Sequence, residues 1–552
     1  MRLFSLGQSC LFLTAALYSP HGVSAAAVPR DATNAMVNDW ESITPSPDLQ
    51  WIPCFQNFTC ARLEVPLDYG NPTRGSTAIA FMKLAAQNVT ENTRNIVINP
   101  GGPGGSGVEI LLANSIPFAE VIQAEHNVVG FDPRGVGFSG PNVDCWPSHP
   151  EARAQFEKLF YSDTSYASST SLSHQFSAAD FFGEACTAAV GGSNGSAAFV
   201  SSPAVARDLL AYTKAEQRAA GKPENEAKLS YYGISYGTVI GTTFAHLFPE
   251  NVGPMILDGV LDVEDIYELG WRQNLYDSDK AIDAFYKYCN EGGPQSCAFW
   301  GPTPASIQHR LEKLLETLKY NPIPVPSSPT CSIPLLATYS GLKELALQAV
   351  FIPLQGFPVL ANVFASLEKG DASVYMAAVT SGFLPSNPCN NGTQGTTKDI
   401  NTLIKCVDGY NSHSLQTLDQ YRSYVDSLTA ESRFFGEVWP NNANGVTCRS
   451  FHVHPPQSGI LSGKDTATPI LFVSNEIDPV TPRRGAYKMS SVFRGSEVLI
   501  QASVGHTAIA SVSKCLIQRA QAYFSHGQLP PHNTVCQPDV VPFQSVTRSA
   551  KV

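Results

Sequence analysis

Apolar and mixed stretches take turns along this chain, and their periods differ. Short apolar runs bounded by Gly, Pro and polar residues predict strands at 61–67, 78–84, 95–99, 127–132, 228–233 and 253–258. Between them, apolar positions recur every three or four residues at 181–189, 205–218 and 236–248, the period of an amphipathic helix. From about residue 263 to 445 the helical period takes over, most clearly at 304–320, where Leu311, Leu314, Leu315 and Leu318 share one face. Strands return at 469–474 and 497–502. Apolar strands separated by helices read as a mostly parallel sheet with helices on both faces. The expected architecture is an α/β fold with its core in two pieces, 26–262 and 446–541, around an inserted helical cap at 263–445, with a tail at 542–552.

Composition narrows the setting. The 552 residues allow one large domain or two, and the net charge is −11. No basic run exists to track a phosphate backbone, so nucleic acid is excluded as a partner. Arg2, the apolar stretch 10–18 and the small residues Val23-Ser24-Ala25 form the layout of a secretory signal peptide over 1–25. No later run predicts a membrane span: the longest, 345–367, is interrupted by Gln348, Pro353, Gln355, Gly356 and Pro358. Of 13 cysteines, Cys10 lies in the leader, and the even remainder in an exported chain points to disulfides. Spacing suggests the local pairs Cys54–Cys60, Cys289–Cys297, Cys389–Cys406 and Cys515–Cys536. With no C-x-x-C pair and no H-E-x-x-H, no metal site is expected. Asn57, Asn88, Asn194 and Asn391 begin N-x-[ST] sites, expected to carry sugars on exposed loops of a secreted, extracellular protein.

The chemistry concentrates in three places. Tyr231-Tyr232-Gly233-Ile234-Ser235-Tyr236-Gly237 contains G-x-S-x-G between a predicted strand and a predicted helix, the context of a nucleophile elbow. That makes Ser235 the expected nucleophile. A serine needs a base, and the base needs an orienting carboxylate, in this fold in the order Ser, acid, His. Asp478 follows the strand at 469–474, and His506 lies 28 residues further on, after the strand at 497–502. Asp258 and Glu476 are the other acids at strand ends, and His526 and His532 are later histidines in turn-like contexts.

The third place is Asn99-Pro100-Gly101-Gly102-Pro103-Gly104-Gly105-Ser106-Gly107, after the strand at 95–99. Part of it fits G-x-G-x-x-G, and Asp132 could mimic the acid of a dinucleotide site. But Pro103 has no N–H to give a pyrophosphate, and a loop follows Asp132. The stretch sits where an oxyanion hole takes its second donor, so Gly101 or Gly102 is expected to act with the N–H of Tyr236. No cofactor is expected.

At these residues a resemblance emerges. NPGGPG, FDPRGVGFSG, YYGISYG, ILDGVLD, DPVTP and GHT together resemble the α/β-hydrolases of the prolyl and tripeptidyl aminopeptidase branch, and 446–541 resembles the C-terminal domain of tripeptidyl aminopeptidases. The resemblance implies an α/β-hydrolase fold, a Ser235, Asp478 and His506 triad, and an oxyanion hole from Gly102 and Tyr236. It further implies cleavage of short peptides from a free N-terminus. An aminopeptidase needs a carboxylate for the substrate ammonium; Glu476, Asp262 and Glu264 are the first candidates, with Asp265 and Glu268 nearby. The same triad could serve an esterase or lactonase acting on a small-molecule ester, since one fold hosts many chemistries.

Overall fold

The computed structural model describes residues 36–544 apart from 114–121, 193–194, 326–332, 381–393, 413, 457–462 and 464. The expected leader (1–25), Cys389, Asn194, Asn391 and most of the tail lie outside the described residues. One ten-stranded sheet forms the centre. In chain order its strands are β1 (Ile52–Cys54), β2 (Phe58–Pro66), β3 (Ser76–Leu84), β4 (Asn95–Asn99), β5 (Asn127–Phe131), β6 (Leu229–Ile234) and β7 (Val252–Asp258), then β10 (Leu471–Ile477), β11 (Glu497–Val504) and β12 (Val535–Cys536). Their spatial order is β1-β2-β3-β5-β4-β6-β7-β10-β11-β12. From β5 to β12 every neighbouring pair is parallel, and β1, β2 and β3 add an antiparallel edge. Each predicted strand is present within a few residues. The strands that pattern missed, β1, β12 and the separate hairpin β8 (Ile323–Val325) and β9 (Leu335–Ala337), have three residues or fewer, too short to display a period.

The sheet is covered on both faces, and the pleat shows how. Ile96, Ile98, Val128, Ile256, Leu471 and Val473 join one apolar cluster, while their alternates Val97, Val129, Leu257 and Phe472 join another. Between β7 and β10 the chain is mainly helical, from Val263–Tyr267 to Leu418–Glu431. Helix Pro304–Tyr320 forms where its period predicts it: a Thr303–Ser306 capping box starts it, and Ile307, Leu311, Leu314, Leu315 and Leu318 are buried. Helix Ser171–Val190 begins ten residues before the apolar period shows, because its first turns bury Ser171, Leu172 and Gln175. Among the described residues, no helix is long and apolar enough to cross a membrane.

Five disulfides join described cysteines. Cys54–Cys60, Cys289–Cys297 and Cys515–Cys536 are the expected local pairs. The expected Cys389–Cys406 pair is overturned: Cys406 bonds Cys448, 42 residues away. Helix Gln394–Asp408 lies against the turn Gly445–Ser450, so tertiary packing and not sequence proximity selects the partner. Cys145–Cys186 closes a further long loop.

One buried ion pair explains the FDPRGVGFSG stretch. Arg134 is fully buried and grips Asp208 bidentately, Nε to Oδ2 at 2.6 Å and Nη2 to Oδ1 at 2.8 Å. Its remaining donors reach the carbonyls of Pro66 and Leu67 at 2.7 and 2.6 Å. The loop after β5 is thereby fixed to helix Ser202–Ala219 and to the end of β2. Arg134→Ala strands the Asp208 carboxylate in the interior, so urea denaturation is expected to show a loss of about 3–5 kcal/mol. Peptide mapping without reductant is expected to recover Cys406 joined to Cys448.

Candidate active site

Ser235 follows the last residue of β6 and precedes helix Gly237–Leu247. Its φ is +55°, a conformation that costs a non-glycine residue about 1–2 kcal/mol. Surrounding hydrogen bonds impose it. The Ser235 N–H donates to the Asp258 carbonyl at 2.9 Å, and the Ser235 carbonyl accepts from the Thr238 N–H and hydroxyl at 2.8 and 2.6 Å. The flanking glycines are required by space: a Cβ on Gly233 would lie 2.5 Å from the Gly237 carbonyl oxygen, and one on Gly237 would lie 2.7 Å from that of Asn99.

The strand order β6-β7-β10-β11 brings the ends of these strands to one edge. Asp478 follows β10 and His506 follows β11. His506 Nδ1 is 3.2 Å from both oxygens of Asp478 and 3.1 Å from the Thr481 hydroxyl. Asp478 is fully buried and accepts from the N–H groups of Val480, Thr481 and Thr507 at 3.0, 2.8 and 2.8 Å and from the Thr481 hydroxyl at 2.7 Å. Burial pushes its pKa up, but the charge and hydrogen bond of His506, with the Thr507 and Thr481 donors, outweigh burial and hold the carboxyl below its ordinary value. An ionised Asp478 is what steadies an imidazolium.

The other acids and histidines are placed elsewhere. Asp258 accepts from the Ala508 N–H and the Tyr232 hydroxyl, both at 2.8 Å, and burial pushes it up to about 6. Glu476 is exposed and 3.7 Å from Arg483. His526 ends a helix at the surface, and His532 pairs with Glu497 there.

The glycine-rich loop after β4 crosses directly over the serine turn. A Cβ on Gly101 would meet the Ile234 carbonyl oxygen at 2.4 Å and the Tyr236 nitrogen at 2.6 Å. The structure separates the two expected donors. The Gly101 N–H is already given to Asn99 Oδ1 at 3.0 Å, which removes Gly101 as an oxyanion donor and leaves it a packing role. The N–H groups of Gly102 and Tyr236 have no acceptor among the described residues. Asp132 is wholly buried and braces the loop, accepting from the Ser106 hydroxyl at 2.6 Å and from the N–H groups of Val108 and Phe138 at 3.2 and 2.9 Å. It presents nothing to a ribose.

Two of the acids expected to receive an ammonium have a cation of the chain beside them. Lys488 lies 2.8 Å from Asp262 and 2.7 Å from Glu264, so a cation of the chain itself fills that place. Asp265 accepts the N–H groups of Arg272 and Gln273 at 2.9 and 3.0 Å and closes a turn. A cavity of about 220 Å³ lies between these residues and Thr481–Lys488, and neither Ser235 nor His506 lines it.

Helical residues that pattern reading passed over reach the strand edge. The Phe351 carbonyl accepts the His506 N–H at 2.8 Å, and the two rings pack at 5.2 Å. Asn401 donates to the Pro103 carbonyl at 2.8 Å. The Tyr236 hydroxyl binds Asp408, a carboxyl that burial pushes up to about 6, and its ring stacks on Trp271. Thr481 stood in the DPVTP motif and was within reach of sequence reading; Phe351, Asn401 and Asp408 carry no local signal.

Comparison with known proteins agrees with the fold. Residues 94–329 match the family model described as alpha/beta hydrolase fold, and residues 432–536 match that described as TAP-like protein. Serine protease Hip1 of Mycobacterium tuberculosis (strain ATCC 25618 / H37Rv) is 27% identical over 517 residues, 88% of this chain and 91% of that protein. Tripeptidyl aminopeptidase of Streptomyces lividans is 26% identical over 512 residues, 91% of this chain and 87% of that protein. Carboxylesterase B of Mycobacterium tuberculosis (strain CDC 1551 / Oshkosh) is 23% identical over 496 residues, 87% of this chain and 86% of that protein.

Gly101→Ala is expected to push the loop off the Ser235 turn and lower kcat/KM by about 100-fold or more. Far-ultraviolet circular dichroism should stay unchanged, since only the crossing is disturbed. Wild-type kcat/KM in this variant would show the close approach to be dispensable.

Proposed function

We propose that this chain, which has the α/β-hydrolase fold and a TAP-like C-terminal segment, is a serine exopeptidase that releases short peptides from a free N-terminus. The observation that carries the reading is the Asp478–His506 pair, placed by adjacent strand ends at the same edge as the strained Ser235 turn. In the proposed reaction the Ser235 oxygen attacks the peptide carbonyl while His506 accepts the hydroxyl proton. Asp478 holds the imidazole in position and balances its charge. The N–H groups of Gly102 and Tyr236 receive the oxyanion. As the C–N bond breaks, His506 returns the proton to the leaving amine. Water then attacks the acyl-enzyme by the same route and frees Ser235.

The helical residues 263–445 are the proposed cap over this edge. Their contacts through Phe351 and Asn401 support that role. Five disulfides support an oxidising, extracellular setting, and the exposed Asn57 and Asn88 are available to sugars there. The carboxylesterase relative favours a second reading, hydrolysis of a small-molecule ester with the same residues.

Three substrates separate the two readings: a tripeptide 4-nitroanilide with a free N-terminus, its acetylated form, and a short-chain nitrophenyl ester. Cleavage of the free peptide with the blocked one inert is expected. Ester cleavage with both peptides untouched would establish the esterase instead. Ser235→Ala is expected to lower kcat by at least about 1,000-fold with folding intact; a substantial residual rate would remove Ser235 from its role.

A further inference from the structure

Helix Gln394–Asp408 lies among the helical residues 263–445, yet it touches both stretches of backbone that carry the proposed oxyanion donors. The Asn401 side-chain nitrogen donates to the Pro103 carbonyl at 2.8 Å, one residue after Gly102. Asp408 accepts the hydroxyl proton of Tyr236, the residue whose N–H is the other donor. Lys405 comes between them and backs Tyr236 through Trp271. Its ammonium is 4.5 Å from the centre of the Trp271 ring, and that ring stacks on Tyr236 with centroids 6.4 Å apart and planes at 3°. Positions 401, 405 and 408 are four and three residues apart, so they share one face of the helix.

The two donors follow different strands, β4 and β6, and an oxyanion receives both only if their spacing is held within about 0.5 Å. A helix is a stiff spacer. Seven residues at about 1.5 Å each put Asn401 and Asp408 about 10 Å apart along its axis. This helix is itself anchored away from the two donors. The buried Asp399 pairs with Arg153 at 2.6 Å, and Cys406 is bonded to Cys448. The contacting side chains are fixed as well. Ser202 donates its N–H and its hydroxyl to Asp408, both at 2.8 Å, and the Lys405 ammonium donates to the Asn442 carbonyl at 2.5 Å. Asp408 and Lys405 are both buried. The helix therefore grips the loop after β4 at one point and the turn after β6 at another, beside the donor in each case.

Building on the proposed triad and oxyanion hole, we propose that helix Gln394–Asp408 sets the spacing of the two oxyanion donors. Asn401 and Asp408 are its positioning residues, acting through Pro103 and Tyr236. The brace matters most when negative charge gathers on the carbonyl oxygen, so it lowers the barrier and leaves substrate affinity nearly unchanged. In this arrangement the inserted helices take part in the chemical step and do more than cover it.

The test uses Asn401→Leu, Asp408→Ala and Tyr236→Phe in the full chain. Tyr236→Phe removes the hydroxyl and keeps the backbone N–H, so it cuts the link to Asp408 from the other end; it carries the test if Asp408→Ala does not fold. Turnover is measured on whichever of the three substrates above the wild type cleaves. Inhibition by phenylboronic acid, which forms a tetrahedral adduct on a reactive serine, reads the oxyanion hole directly, and thermal melting reads the fold. Each variant is expected to lose about 10-fold in kcat with KM within about threefold, and its Ki for phenylboronic acid should rise about 10-fold. Asp408→Ala with Tyr236→Phe should cost no more than either alone, because both cut one link. Asn401→Leu with Tyr236→Phe should cost about 100-fold, because they act on different donors. Wild-type kcat and Ki in the folded Asn401→Leu and Tyr236→Phe would overturn the brace and leave the exopeptidase reading standing. A lower melting temperature alone, or a raised KM with kcat and Ki unchanged, would also overturn it. A wild type that cleaves none of the three and takes no fluorophosphonate label would overturn the triad on which the brace rests.

Discussion

Everything at this site depends on two stretches of backbone crossing at less than the width of a methyl group. The loop after β4 and the turn after β6 approach so closely that Gly101 and Gly237 each face a carbonyl oxygen of the other stretch. Only a bare Cα fits on either side. The crossing aims the Gly102 and Tyr236 N–H groups away from other acceptors and fixes the direction of Ser235. Its rigidity comes from neighbours that do no chemistry. Asp132 clamps one side of the loop through Ser106, Val108 and Phe138, and Asn99 closes the other through the Gly101 N–H. The Asp258 carbonyl fixes Ser235 from the next strand. Buried hydrogen bonds of this kind stiffen the backbone they hold, and stiffness is what preorganised donors need.

The same logic separates three carboxylates at neighbouring strand ends. Asp258, Glu476 and Asp478 are alike in residue class and in topological position. Asp258 is spent on Tyr232 and Ala508, and Glu476 remains in solvent beside Arg483. Only Asp478 combines full burial with a ring nitrogen at hydrogen-bond distance. Environment and not identity decides which acid meets the imidazole.

This explains what sequence could and could not deliver. Runs of apolar residues in β4 to β7 declared the sheet because every one of those strands is buried on both faces, and burial is what composition records. The proposed order Ser235, Asp478, His506 could be written from sequence because β6, β10 and β11 present their ends in chain order. What failed was information held between distant segments. Cys406 finds Cys448 across a helix–turn contact, and Lys488 reaches back over two hundred residues to Asp262 and Glu264.

The grip of the helices on the sheet edge has a consequence for traffic. The backbone N–H of His506 is bound to Phe351 and the glycine-rich loop is bound to Asn401, so the roof is bolted to the floor at both candidate catalytic walls. Lifting the helices from this edge would break both hydrogen bonds. On the proposed reading, a cover fastened at both points favours a loose chain end over a folded protein with its ends tucked away.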